Sequence, residues 1–457
     1  MHTKKVSLLE AIIVLAIIIL SISIGVIALK VTPSIAILFS ISLIMLYSLI
    51  RRFPLTLLNQ GITSGIKPGI VPIFIFILVG ALIAVWIKAG IIPTLMVIGF
   101  KIISIKFFVP SVFIVCAVVG SAVGSAFTVM STIGIAFFGI GTTLGLDPAL
   151  VVGAIVSGAI FGDKMSPLSE STNLTAAVVD ADLFKHIKHL MWSTIPAFIC
   201  SLILFGIIGW NNHDASLGQI QSVVTILEKN FSISIWAGIP ILFMFICAWK
   251  KLPAVFTILL NICISVGMIF IQEPHTSFKS LGTLIESGYV SHTGNKQIDL
   301  LLSRGGIESM MPTVALIILT LSLGGLLMQT GLIKTAMNAL AQQLSSTASL
   351  ISATLLASIS TNIFVGEQFL SVILPGNAFK TVYQKKRLDP VVLGRALEDG
   401  GTVINYLIPW GVAGSFVAGT FGISTLAYLP FVFFSLFSPL FSFLSGLTGI
   451  GIKYLKD

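Results

Sequence analysis

Apolar residues of this chain are gathered in long runs, and short polar joints separate the runs. Eight runs approach the roughly 20 residues that an α-helix needs to cross a bilayer. Charged residues or proline bound them, which is typical of membrane-spanning helices. These runs cover residues 8–29, 34–50, 70–87, 191–209, 232–249, 252–272, 311–330 and 431–452.

Two further stretches, residues 91–184 and 333–427, are apolar but less regular. Gly, Ser, Thr and Asn interrupt both so often that uniform helices describe them poorly. In lipid, irregular backbone is stable only where protein or a watery cavity covers it. The two stretches are therefore predicted to lie inside the protein.

Composition supports this interpretation, since 56% of the residues are hydrophobic, 9% are charged and the mean hydropathy is +1.06. The predicted class is an all-α polytopic membrane protein with about 10–12 spans, surrounded by membrane lipid. The run 8–29 is too long for the apolar part of a signal peptide and is predicted to be a retained first span. The net charge of +9 lies mainly at the ends of apolar runs, which indicates topology and argues against a nucleic-acid partner.

The chain contains an internal duplication. Residues 123–167 align without a gap to residues 365–409, and twelve positions are identical, where roughly four would be expected by chance. In a membrane protein, such a duplication points to a transporter. The identical pairs are Val123/Val365, Gly124/Gly366, Phe127/Phe369, Gly134/Gly376, Ala136/Ala378, Phe137/Phe379, Leu146/Leu388, Asp147/Asp389, Pro148/Pro390, Ala154/Ala396, Gly158/Gly400 and Pro167/Pro409.

Basic residues give the two copies opposite orientations. The joint Lys385–Arg387 precedes the second Leu-Asp-Pro sequence and is strongly cytoplasmic, whereas the matching joint of the first copy, Ile140–Gly145, has no charge. The far ends reverse this pattern, since Lys185 and Lys188 follow the first copy and no basic residue follows the second. The charge distribution therefore predicts two inverted-topology repeats.

A weaker match of Gly90 to Gly331 extends each repeat backwards. Basic residues before the first span (Lys4, Lys5) and after the last (Lys453, Lys456) place both termini in the cytoplasm. The predicted organisation is two N-terminal spans (1–53), inverted repeat 1 (54–185), linking spans with part of an external loop (186–295), inverted repeat 2 (296–427), and a last span with a cytoplasmic tail (428–457).

Five of the seventeen carboxylates fall inside the duplicated regions. A carboxylate at the centre of a bilayer costs about 3 kcal/mol even on a lenient insertion scale, so these side chains should face an interior cavity. There they are candidates for coupling to an ion or a proton. The five are Asp163, Glu170, Glu367, Glu398 and Asp399.

In the first repeat, Pro167 removes a backbone donor and Gly162 weakens the helix, which predicts a break. Hydroxyl, amide and carboxylate oxygens of this kind suit a small alkali cation or a proton. A solvated loop is the alternative, and Lys164 could pair with a carboxylate or extend towards solvent. The candidate ligands are Ser166, Ser169, Thr172 and Asn173, with Asp163 and Asn173 expected to bind Na+.

In the second repeat, Asn405 occupies the position of Asp163, and Pro409 that of Pro167. Two broken helices would thus meet near the membrane centre. Glu398 and Asp399 point about 100° apart on a helix, so only one need face the site, and Glu398 could instead pair with Arg395. Thr402 and Asn405 would add neutral oxygens.

Small and polar residues also predict a re-entrant hairpin tip in each repeat. Thr361, Asn362 and Glu367 surround one tip, and residues 120–125 form its counterpart. Close packing of helices through Gly and Ser is the alternative for residues 120–125.

Motifs for other classes of protein are absent from the sequence. It has no phosphate-binding loop and no zinc-protease or serine-hydrolase motif, so neither an ATP-driven pump nor an enzyme is indicated and no cofactor is expected. The six histidines lie in joints or termini and are predicted to be solvated: His2, His186, His189, His213, His275 and His292.

The segment Gly158–Leu174 closely resembles the signature of the bacterial NhaC family of Na+/H+ antiporters. The segment Gly400–Trp410, which ends in Ile-Pro-Trp, resembles the second signature of that family. The resemblance implies a secondary antiporter of the cytoplasmic membrane, with a re-entrant hairpin and a discontinuous helix in each repeat. Glu170 departs from the family pattern, in which Asp is expected.

The expected mechanism is alternating access, in which Asp163 or a neighbouring carboxylate binds either H+ or Na+. A desolvated carboxylate takes up a proton more readily, so competition for one charge would couple the two fluxes. The family also includes malate/lactate exchangers and carriers of other organic solutes, so a small organic anion is an alternative substrate. A channel is a further alternative, and the sequence leaves a homodimer open.

Overall fold

The computed structural model describes residues 6–102, 107–210, 217–250, 252–342 and 346–455. These residues form α-helices, short 3-10 and π-helical turns and one isolated bridge, without a β-strand. Ten of the described helices are long and apolar enough to cross a membrane, or up to twelve if two bent helix pairs count as spans. The predicted all-α polytopic class and span number are confirmed. Lys4, Lys5 and Lys456 lie outside the described residues.

Ten α-helices are described between residues 6 and 178, which include the first helix break. They are α1 (Leu8–Ser23), α2 (Pro33–Ile50), α3 (Leu55–Ile66), α4 (Ile70–Lys88), α5 (Ile91–Ile102), α6 (Phe108–Val123), α7 (Ala126–Val129), α8 (Ile135–Thr143), α9 (Pro148–Met165) and α10 (Glu170–Val178).

Six α-helices link this part to the second copy, and eight complete the described chain. The linking helices are α11 (Leu183–Trp210), α12 (Leu217–Asn230), α13 (Gly238–Trp249), α14 (Ala254–Gln272), α15 (Phe278–Ser287) and α16 (Lys296–Leu302). The last eight are α17 (Ile307–Gln329), α18 (Leu332–Gln342), α19 (Thr347–Val365), α20 (Gln368–Lys385), α21 (Pro390–Leu397), α22 (Val412–Phe421), α23 (Thr425–Tyr428) and α24 (Phe433–Thr448).

Helices α4, α9 and α17 form the buried centre, and α1, α2, α11 and α14 lie outside them. The apolar residues of α4 from Leu78 to Ile87 are all buried, whereas the outer helices expose large side chains such as Leu9 and Ile203. In a membrane protein these exposed apolar side chains face lipid. Central and outer helices are therefore told apart by burial rather than by hydropathy.

Glycines allow α6 and α9 to pack at very short range. A Cβ atom added to Gly162 of α9 would lie 2.5 Å from the backbone of Gly120 in α6, which is closer than real Cβ contacts. This contact holds the hairpin that ends α6 against the polar end of α9. Residues 120–125 thus contribute both a hairpin turn and close glycine packing.

Several matched positions of the duplication have the same local structure. Gly124 ends α6 and Gly366 ends α19, each in the left-handed conformation with φ near 72° and 71°. Asp147 caps the N-terminus of α9 and Asp389 caps that of α21, and a proline follows each aspartate. The opposite orientation of the two copies and the boundaries of the predicted segments remain predictions.

Both copies contain a helix break at the matched proline. Helix α9 ends at Met165 and α10 begins at Glu170, with Pro167 between them. In the second copy, α21 continues into a π-helical turn, Glu398–Thr402, and Pro409 lies in the gap before α22. π-Helical turns often occur at functional sites, because the irregular hydrogen bonding frees backbone groups.

Candidate functional site

A cavity of about 680 Å³ lies where several helices begin, among them α7, α10, α20 and α22. Three carboxylates line it, namely those of Asp163, Glu170 and Glu367. Apolar side chains of the α4 and α14 regions complete the wall. The neutral polar residues of the lining are Ser125, Thr128, Ser171, Asn173, Thr257 and Gln368.

The first helix break supplies two of these carboxylates from opposite ends of helices. Asp163 lies in the last turn of α9, and Glu170 is the first residue of α10. Asn173 holds the break closed, because its Nδ2 donates hydrogen bonds to the carbonyl oxygens of Pro167 at 2.9 Å and Ser169 at 2.7 Å. Three predicted site residues of the first break, Asp163, Glu170 and Asn173, therefore line the same cavity.

The other three candidates of the first break are buried and bond to the backbone. Ser166 Oγ accepts the N–H of Leu168 at 3.2 Å, and Ser169 Oγ accepts the N–H of Thr172 at 3.3 Å. The Thr172 hydroxyl donates to the carbonyl oxygen of Lys164 at 3.3 Å. These side chains shape the break and do not contribute to the described cavity lining.

Glu367 is the carboxylate of the second hairpin. It is buried, lines the cavity and caps α20, since its Oε2 accepts the N–H of Leu370 at 2.8 Å. The matched residue of the first copy, Ser125, caps α7 in the same way by accepting the N–H of Thr128 at 3.3 Å. The two hairpins therefore present equivalent caps, and only one of the caps is charged.

The neutral candidates of the second copy form a buried network outside the cavity lining. Asn362 Nδ2 donates to the carbonyl oxygens of Gly400 and Gly401, at 3.1 and 2.5 Å. Asn405 Nδ2 donates to Asn362 Oδ1 at 2.7 Å, and Asn405 Oδ1 accepts the N–H of Ala413 at 3.0 Å. This network closes the second break. Thr361, which donates to the carbonyl oxygen of Ala357 at 2.8 Å, lies in the same buried region.

Two of the five candidate carboxylates, Glu398 and Asp399, are not part of this cavity lining. Both are fully buried in a second polar cluster, and neither lines the cavity. Asp399 forms an ion pair with Lys164, which settles the alternatives for that lysine in favour of pairing. The ammonium also donates to Ser438 Oγ at 2.9 Å and to Ser193 Oγ at 3.4 Å.

Glu398 does not pair with Arg395, which corrects the alternative drawn from their spacing. Arg395 donates instead to Ser445 Oγ at 2.7 Å and to the carbonyl oxygen of Gly451 at 3.1 Å. Glu398 Oε2 accepts the Thr402 hydroxyl at 2.5 Å, and its Oε1 lies 3.8 Å from His186 Nε2. Thr402 thus belongs to this second cluster.

His186 and His189 are buried, which corrects the expectation that every histidine is solvated. Helix α11 begins at Leu183, so both residues lie within a packed helix and not in a joint. His275 and His292 are exposed as expected. His2 and His213 lie outside the described residues.

Several polar residues of the cavity lining were not among the predicted site residues. Gln368 directly follows the predicted Glu367, and Ser171 lies inside the predicted break. Both could therefore have been predicted from their neighbours in the sequence. No sequence motif indicated that Thr128 and Thr257 line the cavity. Among the described residues, no three His, Cys, Asp or Glu side chains form a group that could hold a metal ion, and the Na+ ligands remain a prediction.

Comparison with known proteins gives the family of this chain. A profile described as Na+/H+ antiporter family matches residues 158–450. The Na+/H+ antiporter NhaC of Alkalihalophilus pseudofirmus is 41% identical over 93% of this chain and 92% of its own length. NhaC of Bacillus subtilis is 36% identical over 92% and 93%, and the malate-2H+/Na+-lactate antiporter of the same species is 32% identical over 88% and 86%. This multi-pass membrane protein belongs to the NhaC family of Na+/H+ antiporters.

Proposed function

We propose that this protein exchanges Na+ for H+ across the bacterial cytoplasmic membrane by alternating access. The observation that carries the proposal is the cavity in the helical core, which three carboxylates line together with neutral oxygens. A carboxylate in such a site can be neutralised by a proton or by a sodium ion, and the two compete for the same charge. That competition couples the two fluxes.

Asp163 is the best candidate for the coupling residue. Glu170 and Glu367 lie at the N-termini of α10 and α20, where the positive end of the helix dipole balances part of their negative charge. Asp163 lies at the C-terminal end of α9, where the dipole is negative, so it depends more on a bound cation or proton. The second copy has Asn405 at the matched position, so this acid is not duplicated.

Asp163 and Asn173 are proposed to bind Na+. The amide nitrogen of Asn173 is used in closing the break, which leaves its Oδ1 as the group for a cation. Both residues line the cavity, as does Ser171, whose hydroxyl oxygen suits the same hard cation. The remaining candidates of both breaks then act by holding the backbone in place.

The proposal is tested by the dissipation of a pH gradient in everted membrane vesicles when Na+, Li+, K+ or malate is added in turn. We expect Na+ to dissipate the gradient and Asp163→Asn to abolish the response. Asp299→Asn is the control, because this acid lies in the segment before α17 and away from the cavity. Exchange at the native rate by Asp163→Asn would show that another group couples the fluxes.

A coupled exchanger of organic anions, or a carrier of another small organic solute, is the second candidate. The cavity volume of about 680 Å³ is far larger than one Na+ ion, and the positive ends of three helices of eight or more residues, α10, α20 and α22, meet there. A relative that is 32% identical is named as a malate-2H+/Na+-lactate antiporter. Counterflow of labelled malate in proteoliposomes tests this candidate, since uptake above that of empty liposomes would support it.

The orientation of the chain is part of the proposal. Segments 54–185 and 296–427 are proposed as inverted repeats, with both termini in the cytoplasm, on the basis of the basic residues at their ends. Single cysteines at positions 7 and 455, in a background without Cys116, Cys200, Cys247 and Cys263, should react with an impermeant thiol reagent in everted vesicles only. Labelling in right-side-out vesicles would contradict this topology.

A further inference from the structure

The ion pair of Lys164 and Asp399 joins the two copies inside the protein. Both side chains are almost completely buried, at 1% and 0% exposure. Hydrogen bonds to Asp399, Ser438 and Ser193 satisfy the three donors of the ammonium. The helices α9, α11 and α24 and the π-helical turn after α21 therefore meet at one buried positive charge.

This charge lies next to the cavity although it does not line it. Asp163 and Lys164 are consecutive residues of α9, so their side chains point about 100° apart. Asp163 faces the cavity, and Lys164 faces the second copy. A cation bound at Asp163 would be repelled by the ammonium of Lys164 unless that charge is balanced.

We propose that Asp399 is the counter-ion of Lys164, and that this neutral pair sets the affinity of Asp163 for Na+ without carrying a transported ion. The inference rests on the proposed function in taking Asp163 as the Na+ ligand. Asp399 and Lys164 are positioning residues in this scheme, because they act on the ion through their charge.

Coulomb's law gives the expected change in Na+ affinity. A unit charge about 10 Å away, at an effective dielectric constant of about 20, changes the affinity for a monovalent cation on the order of tenfold. Removing the charge of Asp399 alone should weaken Na+ binding by that factor. Removing both charges should restore it, because Lys164 then no longer repels the ion.

The rival reading is that Asp399 itself binds the transported ion. Its Oδ2 accepts no hydrogen bond from the described residues, so that oxygen is the one an ion would contact. In that case the loss of its charge could not be repaired by removing Lys164. The two readings therefore predict different results for the variant that lacks both charges. Na+ affinity is restored if Asp399 is only a counter-ion, and it stays low if Asp399 binds the ion.

The experiment measures the Kd of ²²Na+ for the purified full-length protein in detergent, for the wild type, Asp399→Asn, Lys164→Met and the double variant. We expect Asp399→Asn to raise the Kd about tenfold and the double variant to return within about threefold of the wild type. Lys164→Met alone should not weaken binding. A wild-type Kd for Asp399→Asn, or a double variant as weak as Asp399→Asn, would overturn the proposal.

A second ion pair between the same two parts of the chain is the matched control. Lys380 and Asp180 lie 2.5 Å apart, and Asp180 is 72% exposed. Because water screens this pair, neutralising both of its residues should leave the Kd within about threefold of the wild type. A larger change would show that any cross-link between the copies affects Na+ binding, which would overturn the specific role of Lys164.

The test also covers a variant that does not fold and a wild-type protein that binds Na+ without exchanging it. If Asp399→Asn does not fold, the double variant alone decides, since a near-native Kd supports the proposal and a loss of about tenfold or more contradicts it. A wild-type protein that binds Na+ but does not exchange it for protons would refute the proposed function. It would leave the Kd comparison, and hence this inference, intact.

Discussion

Asn405 Nδ2 donates a hydrogen bond to Asn362 Oδ1 at 2.7 Å, and this bond joins the second helix break to the hairpin beside it. Asn405 Oδ1 accepts the N–H of Ala413 in the first turn of α22. Both side chains are fully buried. The break is thus closed by protein groups on both sides, which makes its geometry sensitive to a single amide.

We predict that Asn405→Ala lowers the free energy of unfolding by about 1–3 kcal/mol, because it leaves the buried N–H of Ala413 without a partner. Thermal unfolding in detergent measures the change. Asn230→Ala is the control, since Asn230 is exposed and bonds only to its own helix, and its effect should stay within about 0.5 kcal/mol. Equal effects of the two variants would contradict the structural role of Asn405.

Gly162→Ala is predicted to destabilise the protein by about 1–3 kcal/mol or more, because the new methyl group would meet the backbone of Gly120 at 2.5 Å. Gly206→Ala in α11 is the matched variant, since nothing lies within 4 Å of its added Cβ. This change should stabilise the helix by up to about 1 kcal/mol. Thermal midpoints of the two variants should therefore move in opposite directions, and a common direction would argue against the close packing.

Glu367 combines a cap with a charge, and two variants separate these roles. Glu367→Gln keeps an acceptor for the N–H of Leu370, so stability should be retained while Na+-dependent proton flux falls, since a neutral amide cannot balance a cation. Glu367→Ala should in addition lose about 1 kcal/mol of stability. Ser125→Ala removes the matched cap without removing a charge, at a similar cost in stability. Unchanged flux in Glu367→Gln would restrict Glu367 to capping.

The stability of the segment around Asp299, which lies outside the membrane-spanning helices, is expected to depend on pH. The N–H and hydroxyl of Thr293, both at 2.7 Å, and the hydroxyl of Ser291 donate to this carboxylate, and these bonds lower the pKa of Asp299 below its ordinary value. A lowered pKa in the folded state stabilises the segment above the ordinary pKa, and this stabilisation is lost as the pH falls through the folded-state pKa.

Protection of residues 288–304 from limited proteolysis should therefore be constant from neutral pH down to about pH 4 and decrease only below it. Asp299→Asn still offers an oxygen to Thr293 but does not titrate, so its protection should not change over this range. A loss of protection already at pH 6 in the wild type would assign the effect to another group.

The sequence allowed the spans and the breaks to be predicted, because a membrane span depends on length and apolar composition and a break on Pro167 and Pro409. It did not show which polar side chains face the cavity. Asn405 was expected to offer oxygen to an ion, yet its amide caps α22, a role that depends on a helix start eight residues away. The burial of His186 could not be seen either, because Lys185 and Lys188 beside it indicate a joint.

The buried pair of Lys164 and Asp399 has a mechanical consequence for transport. Breaking a buried ion pair costs about 3–5 kcal/mol, so a motion that keeps the pair intact is favoured over one that separates it. The two helix breaks are then expected to travel as one rigid body past α4 and α17. A disulfide between cysteines placed at 180 and 380 should leave exchange active in this case and stop it if the copies slide apart. Alternating access would then come from the joint movement of both helix breaks relative to α4 and α17, with the ion pair of Lys164 and Asp399 inside the moving part.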